Sequence, residues 1–182
     1  MSFTNIEGTW YNHTKTTLIH LPANKKDAFV VPLTVQNIGI QSFRNCTLLQ
    51  KVALPTQLKR IEILAFEGCK SLTELIIPES VNHFGYRAFK DCNSLKSIYL
   101  CHKIPPMVST ENEIFPESVT SRATLFVPKG TKKMYAKANL WKEFMHLKEY
   151  AEDELIKSLT MQLTLVSMQE VNQRNPIFYK TS

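Results

Sequence analysis

The sequence of 182 residues has little glycine and no long apolar run, and each absence excludes a class of function. Its five glycines are scattered, so none of the glycine-rich loops that cradle phosphate groups is present. The longest apolar stretches, such as 28–31, fall far short of the roughly 20 residues needed to cross a bilayer. We therefore expect no nucleotide-binding loop and no membrane insertion.

The N-terminus also lacks the pattern of an export signal. Residues 1–8 contain neither a basic region nor the apolar core that such signals carry. If the chain is complete as written, we expect it to be cytoplasmic; a truncated N-terminus would leave export open.

Charge is present but is not concentrated on any segment. The net charge is +6, yet basic residues pair only at 25–26, 59–60 and 132–133, with acidic residues interleaved elsewhere. Nucleic-acid binding requires a concentrated basic stripe, preferably with aromatic platforms. The charge pattern therefore predicts a mixed, solvated surface and no nucleic-acid partner.

A repeat of 23 residues runs through the middle of the chain. Seven columns agree in residue class over three copies: Phe43, Phe66 and Phe89; Cys46, Cys69 and Cys92; Leu49, Leu72 and Leu95; Val52, Leu75 and Ile98; Leu54, Ile77 and Leu100; Leu58, Val81 and Ile104; Ile38, Ile61 and Phe84. Pro32, Pro55 and Pro78 share a further column. A fixed period of this length predicts a stack of repeats.

Each repeat reads as one coil of a solenoid. In 72–78, Leu75 and Ile77 alternate as a short strand does, and Pro78 ends the strand because it has no N–H to donate. One coil cannot bury its apolar side alone, whereas stacked neighbours can. We predict a mostly β, right-handed solenoid of about five coils with short irregular or helical segments.

The cysteine column has a structural interpretation. Residues one repeat apart stack roughly 4.8 Å apart with side chains pointing the same way, whereas disulfides need side chains that face each other. We predict a buried ladder of free thiols at Cys46, Cys69 and Cys92; a disulfide or a metal site is the alternative, although no C-x-x-C pair supports zinc. Cys101 falls in the proline column, and we expect it to be partly exposed.

The repeat motif resembles a known family. The stretch 77–95 has the pattern I-P-x-x-V-x-x-F-G-x-x-A-F-x-x-C-x-S-L, which closely resembles the BspA-like leucine-rich repeats of bacterial surface proteins. The stretch 17–26 looks like the usual opening hairpin of that family, and 125–130 with Tyr135, Trp141 and Phe144 is similar to its C-terminal cap. The resemblance implies a secreted or cell-surface protein of host-associated bacteria, often adhesive.

The chain divides into four parts on this reading. Residues 1–37 form an N-terminal hairpin and half repeat, whose Phe and Cys columns hold His20 and Ala23. Residues 38–104 form three full leucine-rich repeats, 105–150 an insertion and cap, and 151–182 an unassigned tail. In the cap we predict a helix over 131–138, because Thr131 suits an N-cap, and in the tail a short helix over 152–159.

No arrangement of residues predicts catalysis. The five histidines, His13, His20, His83, His102 and His146, fall at non-equivalent places, and we expect surface or turn positions for them. Nucleophilic catalysis needs a base within reach of a Ser or Cys, and no His column accompanies the cysteines. Carboxylates at 111 and 113 lie in a probable loop, and those at 152–154 suit a helix start. We predict no enzyme, no metal and no cofactor.

Two columns face outward on the predicted sheet. The mixed row contains Ala28, Lys51, Glu74 and Ser97, and the apolar row contains Val30, Ala53, Ile76, Tyr99 and Phe126. Exposed apolar stripes often mark partner surfaces, and aromatic residues dominate binding hot spots. We therefore predict binding residues in both rows, with Tyr99 and Phe126 as anchors. The alternative is that the tail or the insertion at 105–122 folds over the apolar row.

These features favour a noncatalytic recognition or adhesion module with a protein partner from the host or from the same cell surface. One alternative is a structural spacer, or a fragment of a larger surface protein, with no ligand of its own. The other is a carbohydrate-binding module, which Tyr99 and Phe126 alone support.

Overall fold

The computed structural model describes residues 2–108 and 113–151, together with Asp153 and Leu155. Two six-stranded sheets form opposite sides of a coiled chain. The first sheet contains β1 (Phe3–Ile6), β2 (Thr9–Asn12), β3 (Thr17–His20), β5 (Asn37–Ile38), β7 (Arg60–Ile61) and β9 (His83–Phe84), in that order. The second contains β4 (Asp27–Val30), β6 (Leu49–Ala53), β8 (Glu74–Ile77), β10 (Ser97–Leu100), β11 (Thr124–Pro128) and β12 (His146–Tyr150).

The second sheet carries the repeat. All of its strand pairs are parallel, and Lys51 lies opposite Glu74, which lies opposite Ser97. The predicted solenoid is therefore confirmed. The sheet has six strands, one for each coil, where the sequence predicted about five coils. The additional strand is β12, which pairs with β11 outside the 23-residue period.

The N-terminal hairpin is formed by β1 and β2, not by the stretch 17–26. β1 and β2 are antiparallel and are joined by Glu7 and Gly8, both at positive φ, as a tight two-residue hairpin turn requires. The stretch 17–26, expected to form the hairpin, contains β3 instead, which pairs antiparallel with β2 and parallel with β5. β3 therefore begins the parallel stacking of the first sheet.

A column of aromatic rings fills the centre of the coils. The ring centroids of Phe43 and Phe66 are 4.5 Å apart, those of Phe66 and Phe89 are 5.1 Å apart, and those of Phe89 and Phe115 are 4.8 Å apart. Phe115 lies in the segment expected to be an insertion, so part of that segment continues the repeat at a spacing of 26. In the first coil the place was expected to hold His20, but the exposed His20 is replaced there by the buried Leu21, which bonds to the next coil as Phe43 does.

The buried thiol ladder is confirmed. Cys46, Cys69 and Cys92 are free and fully buried. The Cys69 thiol donates to the Phe43 carbonyl at 3.2 Å, and the Cys92 thiol donates to the Phe66 carbonyl at 3.1 Å. Both thiols therefore bond to the main chain of the preceding coil.

The C-terminal cap closes the core with aromatic side chains, as expected: Trp141 and Phe144 are buried. A short helix, α1 (Glu117–Thr120), precedes β11, and a 3-10 turn covers Trp141–Glu143. The predicted helix over 131–138 is present but shorter, as α2 (Lys132–Tyr135). It ends early because the N–H groups of Lys137 and Ala138 bond to carbonyls three residues back rather than four.

Two other expectations concern the end of the third repeat and the tail. Ile104 was expected in an inward column, yet its side chain is 75% exposed, because the chain leaves the repeat path after β10. The short helix expected over 152–159 lies mostly outside the described residues. Among the described residues, no helix has the length and apolar character needed to span a membrane.

The phenylalanine column provides a stability test. We expect Phe66→Ala to lower the free energy of unfolding by about 3–5 kcal/mol, because a ring packed on both faces leaves a cavity. Urea unfolding followed by circular dichroism measures this loss. The control is Ile63→Ala, on the rim and 42% exposed, for which we expect a change within about 0.5 kcal/mol. Equal effects would contradict the assignment of the column as the centre of the core.

Candidate functional site

The predicted binding residues lie on the outer face of the second sheet. In the mixed row, Ala28 lies opposite Lys51, and Glu74 lies between Lys51 and Ser97. The hydrogen-bonded register continues this row to Thr124 on β11. All of these side chains are half-buried. The row is therefore a continuous strip along the solenoid axis.

The apolar row lies beside it. Val30 is opposite Ala53, and Tyr99 is opposite both Ile76 and Phe126. Four of the five side chains are half-buried, but that of Ile76 is only 4% exposed. Ile76 is thus as inaccessible as a core residue although its strand position faces outward.

Aromatic contacts define the C-terminal half of the apolar row. The rings of Tyr99 and Phe126 are stacked, with centroids 4.6 Å apart and planes within 10° of parallel. Tyr150, at the end of β12, meets Tyr99 edge-on at 5.8 Å. Sequence analysis did not identify Tyr150, because β12 lies outside the period and Leu147 and Tyr150, three residues apart, do not alternate as a strand pattern would.

Two adjoining depressions follow the edge of this face, where the strands end. The upper groove has a volume of about 490 Å³ and is lined by Leu54, Thr56, Ile76, Pro78, Glu79, Ser80 and Cys101. The lower groove has a volume of about 790 Å³ and is lined by Glu79, Cys101, Lys103, 128–131, Tyr150, Ala151, Asp153 and Leu155. Because Glu79 and Cys101 line both, the two grooves share one wall and form a trough over successive coils.

Cys101 lies at the junction of the two grooves and is partly exposed, as expected from its place in the proline column. Burial raises the pKa of its thiol to about 11, although a hydrogen bond with Tyr150 opposes the shift. A nucleophilic cysteine instead has a lowered pKa. At neutral pH Cys101 is therefore a protonated thiol in the wall of the groove, with the character of a small apolar group.

His102 follows Cys101 but is buried, with 6% of its surface exposed, so the expectation of a surface or turn position is wrong for this histidine. Its Nε2 lies 2.7 Å from the carbonyl oxygen of Val81 and donates to it. Its own carbonyl accepts a bond from the Tyr135 hydroxyl at 2.8 Å. Through these two hydrogen bonds His102 links the end of the third repeat to the cap. Spacing in the sequence does not reveal these contacts.

Across the described ranges, no three His, Cys, Asp or Glu side chains are grouped as metal ligands. The arrangement that the structure offers is a surface: a mixed row, an apolar row with an aromatic stack, and a trough along their edge. Such a surface suits contact with an extended or flat partner.

Sequence comparison identifies the family of the chain. Residues 4–139 match six copies of the repeat described as the BspA type leucine-rich repeat region. The chain belongs to the BspA-type leucine-rich repeat family. The matched residues include five strands of the second sheet, from β4 to β11, whereas β12 lies beyond them. No curated protein matches the sequence significantly.

Solved structures with the same fold come from bacteria. The pneumococcal vaccine antigen PcpA is 23% identical, with a TM-score of 0.53 over 82% of this chain and 48% of that one. A leucine-rich repeat protein from Eubacterium ventriosum is 25% identical, with a TM-score of 0.55 over 69% of this chain and 32% of that one. The chain therefore spans less than half of the length of these two proteins, and the likeness establishes its fold.

Burial of His102 predicts a dependence of stability on pH. Burial lowers the pKa of its imidazole below the usual value of 6.5, so the folded state holds it neutral. Its contribution to stability is present above the unfolded value and is lost as pH falls through the lower folded value. We expect the urea midpoint to fall more between pH 7.5 and pH 5 in the natural chain than in His102→Gln, which keeps a donor without titrating. The exposed His13→Gln is the control; equal slopes in all three proteins would contradict this prediction.

The raised pKa of Cys101 predicts slow alkylation. A shift of the pKa from 9 to about 11 lowers the thiolate fraction about 100-fold at neutral pH. Because the thiolate is the reacting form, we expect the rate of Cys101 alkylation by iodoacetamide to increase about tenfold per pH unit from pH 7 to pH 10. Peptide mass spectrometry would assign the modified thiol, and Cys46, Cys69 and Cys92 should stay unmodified until urea is added. A rate at Cys101 that levels off below pH 9 would contradict the raised value.

Proposed function

We propose that this chain is a noncatalytic protein-recognition and adhesion module of a bacterial surface protein, acting through the outer face of its second sheet. The observation that carries this proposal is the apolar row, whose members the parallel register aligns over successive coils. A row of this kind offers contact area along the axis, whereas scattered exposed apolar residues do not. Family membership supports a surface location, because BspA-like repeats are typical of bacterial surface proteins.

The aromatic stack favours a protein partner over a carbohydrate. Sugar rings bind aromatic residues through an open ring face, and the stacking at 4.6 Å covers one of the two faces of Tyr99 and of Phe126. Tyrosine is among the residue types enriched in protein hot spots, and Tyr99 lies among half-buried side chains of the row that can exclude water around it. A host protein or another surface protein of the same cell fits this chemistry.

Phe126 provides the test, because it is half-buried in the apolar row and, among the described residues, its ring stacks on Tyr99 alone. Beads coated with the chain would be added to cultured host epithelial cells, and also to beads that carry a second sample of the chain. We expect Phe126→Ser to lower the binding affinity at least about 30-fold, which is the effect of losing a hot-spot side chain, and to reduce bead retention accordingly. Protease treatment of the target cells should abolish retention, and glycosidase treatment should leave it unchanged.

The matched control is Tyr86→Ser, an aromatic residue that is 43% exposed on the rim of the first sheet. It should retain full binding. Loss of binding in both variants would contradict the choice of face. Glycosidase-sensitive retention would favour a carbohydrate ligand, and absence of retention on every surface would favour a spacer.

A further inference from the structure

Three turns that directly follow β5, β7 and β9 carry apolar residues at their tips. Each turn is closed by a hydrogen bond between residues three apart, and the residue after its tip has a positive φ, as in a type II turn. The tips are Ile40, Ile63 and Tyr86, one period of 23 residues apart. Glycine, proline, asparagine, aspartate and serine dominate such turns for their conformational properties. The row of three apolar tips, here termed the turn ridge, departs from that rule in successive coils.

The turn ridge is more accessible than the apolar row of the second sheet. Ile40 is 61% exposed, and Ile63 and Tyr86 are exposed as well, whereas the members of the apolar row are half-buried or buried. At the N-terminal end Trp10 is also exposed, and it lies opposite His20 on β3, the strand that pairs with β5. Aligned, exposed apolar groups of this kind mark a contact surface.

Cationic side chains border the turn ridge on both sides. Arg44 and Lys90, at the tips of the turns that follow, bond to Glu67 at 3.1 and 2.9 Å. Before the ridge, on β7, Arg60 bonds to Glu62 at 2.7 Å. In each of these pairs the cationic side chain is at least twice as exposed as the carboxylate. Because the carboxylates are the more buried partners, the border presents positive charge to the solvent.

The C-terminal tip of the ridge joins an aromatic ring to a cation. The guanidinium carbon of Arg87 lies 5.0 Å from the centroid of the Tyr86 ring. Arg87 also pairs with Glu113 at 2.7 Å, and because these two side chains are about equally exposed, this pair adds no net charge to the border. The excess of positive charge thus comes from the other pairs, in a chain whose net charge is +6.

This combination fits a bilayer surface better than a protein. Three projecting tips span two strand spacings, about 10 Å, and are too narrow to fill the roughly 800 Å² that each partner buries in a standard protein interface. Contact with a bilayer requires only a few inserted apolar side chains together with attraction to anionic headgroups. Tryptophan and tyrosine, the aromatic residues at the two ends of this surface, favour the boundary between water and lipid.

We propose that the turn ridge binds the surface of an anionic lipid bilayer. The tips of Ile40, Ile63 and Tyr86 enter the headgroup layer, and the cationic border faces the lipid phosphates. The contact stays at the bilayer surface and crosses no membrane. The ridge follows strands of the first sheet, on the side of the coils opposite the second sheet, so the apolar row remains available to a protein partner.

Trp10 is a natural reporter for this contact. It is exposed near the ridge, whereas the other tryptophan, Trp141, is fully buried in the cap. The full chain would be mixed with vesicles of phosphatidylcholine and phosphatidylglycerol in equal parts, and with vesicles of phosphatidylcholine alone. We expect a blue shift of tryptophan emission and cosedimentation with the anionic vesicles only. Trp10→Phe should remove the shift but keep cosedimentation, because phenylalanine preserves the apolar contact.

The decisive variant is Ile40→Ser with Ile63→Ser. Because binding scales with the apolar area inserted, this pair should lower the partition coefficient on anionic vesicles about tenfold or more. The control pair is Leu33→Ser with Ile104→Ser, two exposed apolar residues that follow strands of the second sheet. It should change the partition coefficient by no more than about twofold. Raising the NaCl concentration from about 0.05 M to about 0.5 M should weaken binding of the natural chain about tenfold, since salt screens the cationic border.

Several outcomes would overturn the proposal. These are equal binding by both pairs, binding to neutral vesicles that salt does not weaken, and no binding to either vesicle. A dimer in sedimentation that the isoleucine pair abolishes would assign the ridge to a second copy of the chain and also overturn it. If the isoleucine pair lowers the urea midpoint, Ile40→Ser alone replaces it, and full binding by that variant would count against the ridge. The vesicles contain no protein, so either result stands apart from the adhesion assay.

Discussion

Parallel pairing between successive coils is the constraint on which the rest of this structure depends. Each strand of the second sheet lies in register with the next, so residues one repeat apart occupy equivalent positions. Stacked rings at Phe43, Phe66 and Phe89 and buried thiols at Cys46, Cys69 and Cys92 follow from that register. The same register aligns the side chains of the outer face, so the order of the interior and that of the outer face both follow from the strand pairing.

The two ends of the stack show how an open-ended core is closed. At the N-terminal end the hairpin of β1 and β2 leads into β3, and Leu21 occupies the place that phenylalanine holds elsewhere. At the C-terminal end Phe115 continues the ring column, and Trp141 and Phe144 pack edge-on against it. Both ends depart from the repeat because a terminal coil has a neighbour on one side only.

The outer face gains its functional character from the same stacking. Aligned half-buried residues form a mixed row and an apolar row, and the ends of the strands form the trough beside them. Cys101 and Glu79 join the two grooves of the trough, so a single extended segment could contact both. The strand ends and the outer face therefore form one continuous surface.

The sequence by itself determined the period, the fold and the assignment of residues to inward and outward columns. Val52, Leu75 and Ile98 were placed correctly because a repeat fixes each residue by its neighbours one period away. The cysteine ladder was predictable for the same reason, since equivalent side chains point the same way.

Only the tertiary structure decided what lies outside the period. Phe115 joins the ring column at a spacing of 26, and Tyr150 reaches Tyr99 from a strand with no counterpart in the repeat. His102 is buried by contacts with Val81 and Tyr135, and Ile76 is buried although its column faces outward. Periodicity specifies which way a side chain points, but burial also depends on segments distant in sequence, and their packing is settled in three dimensions.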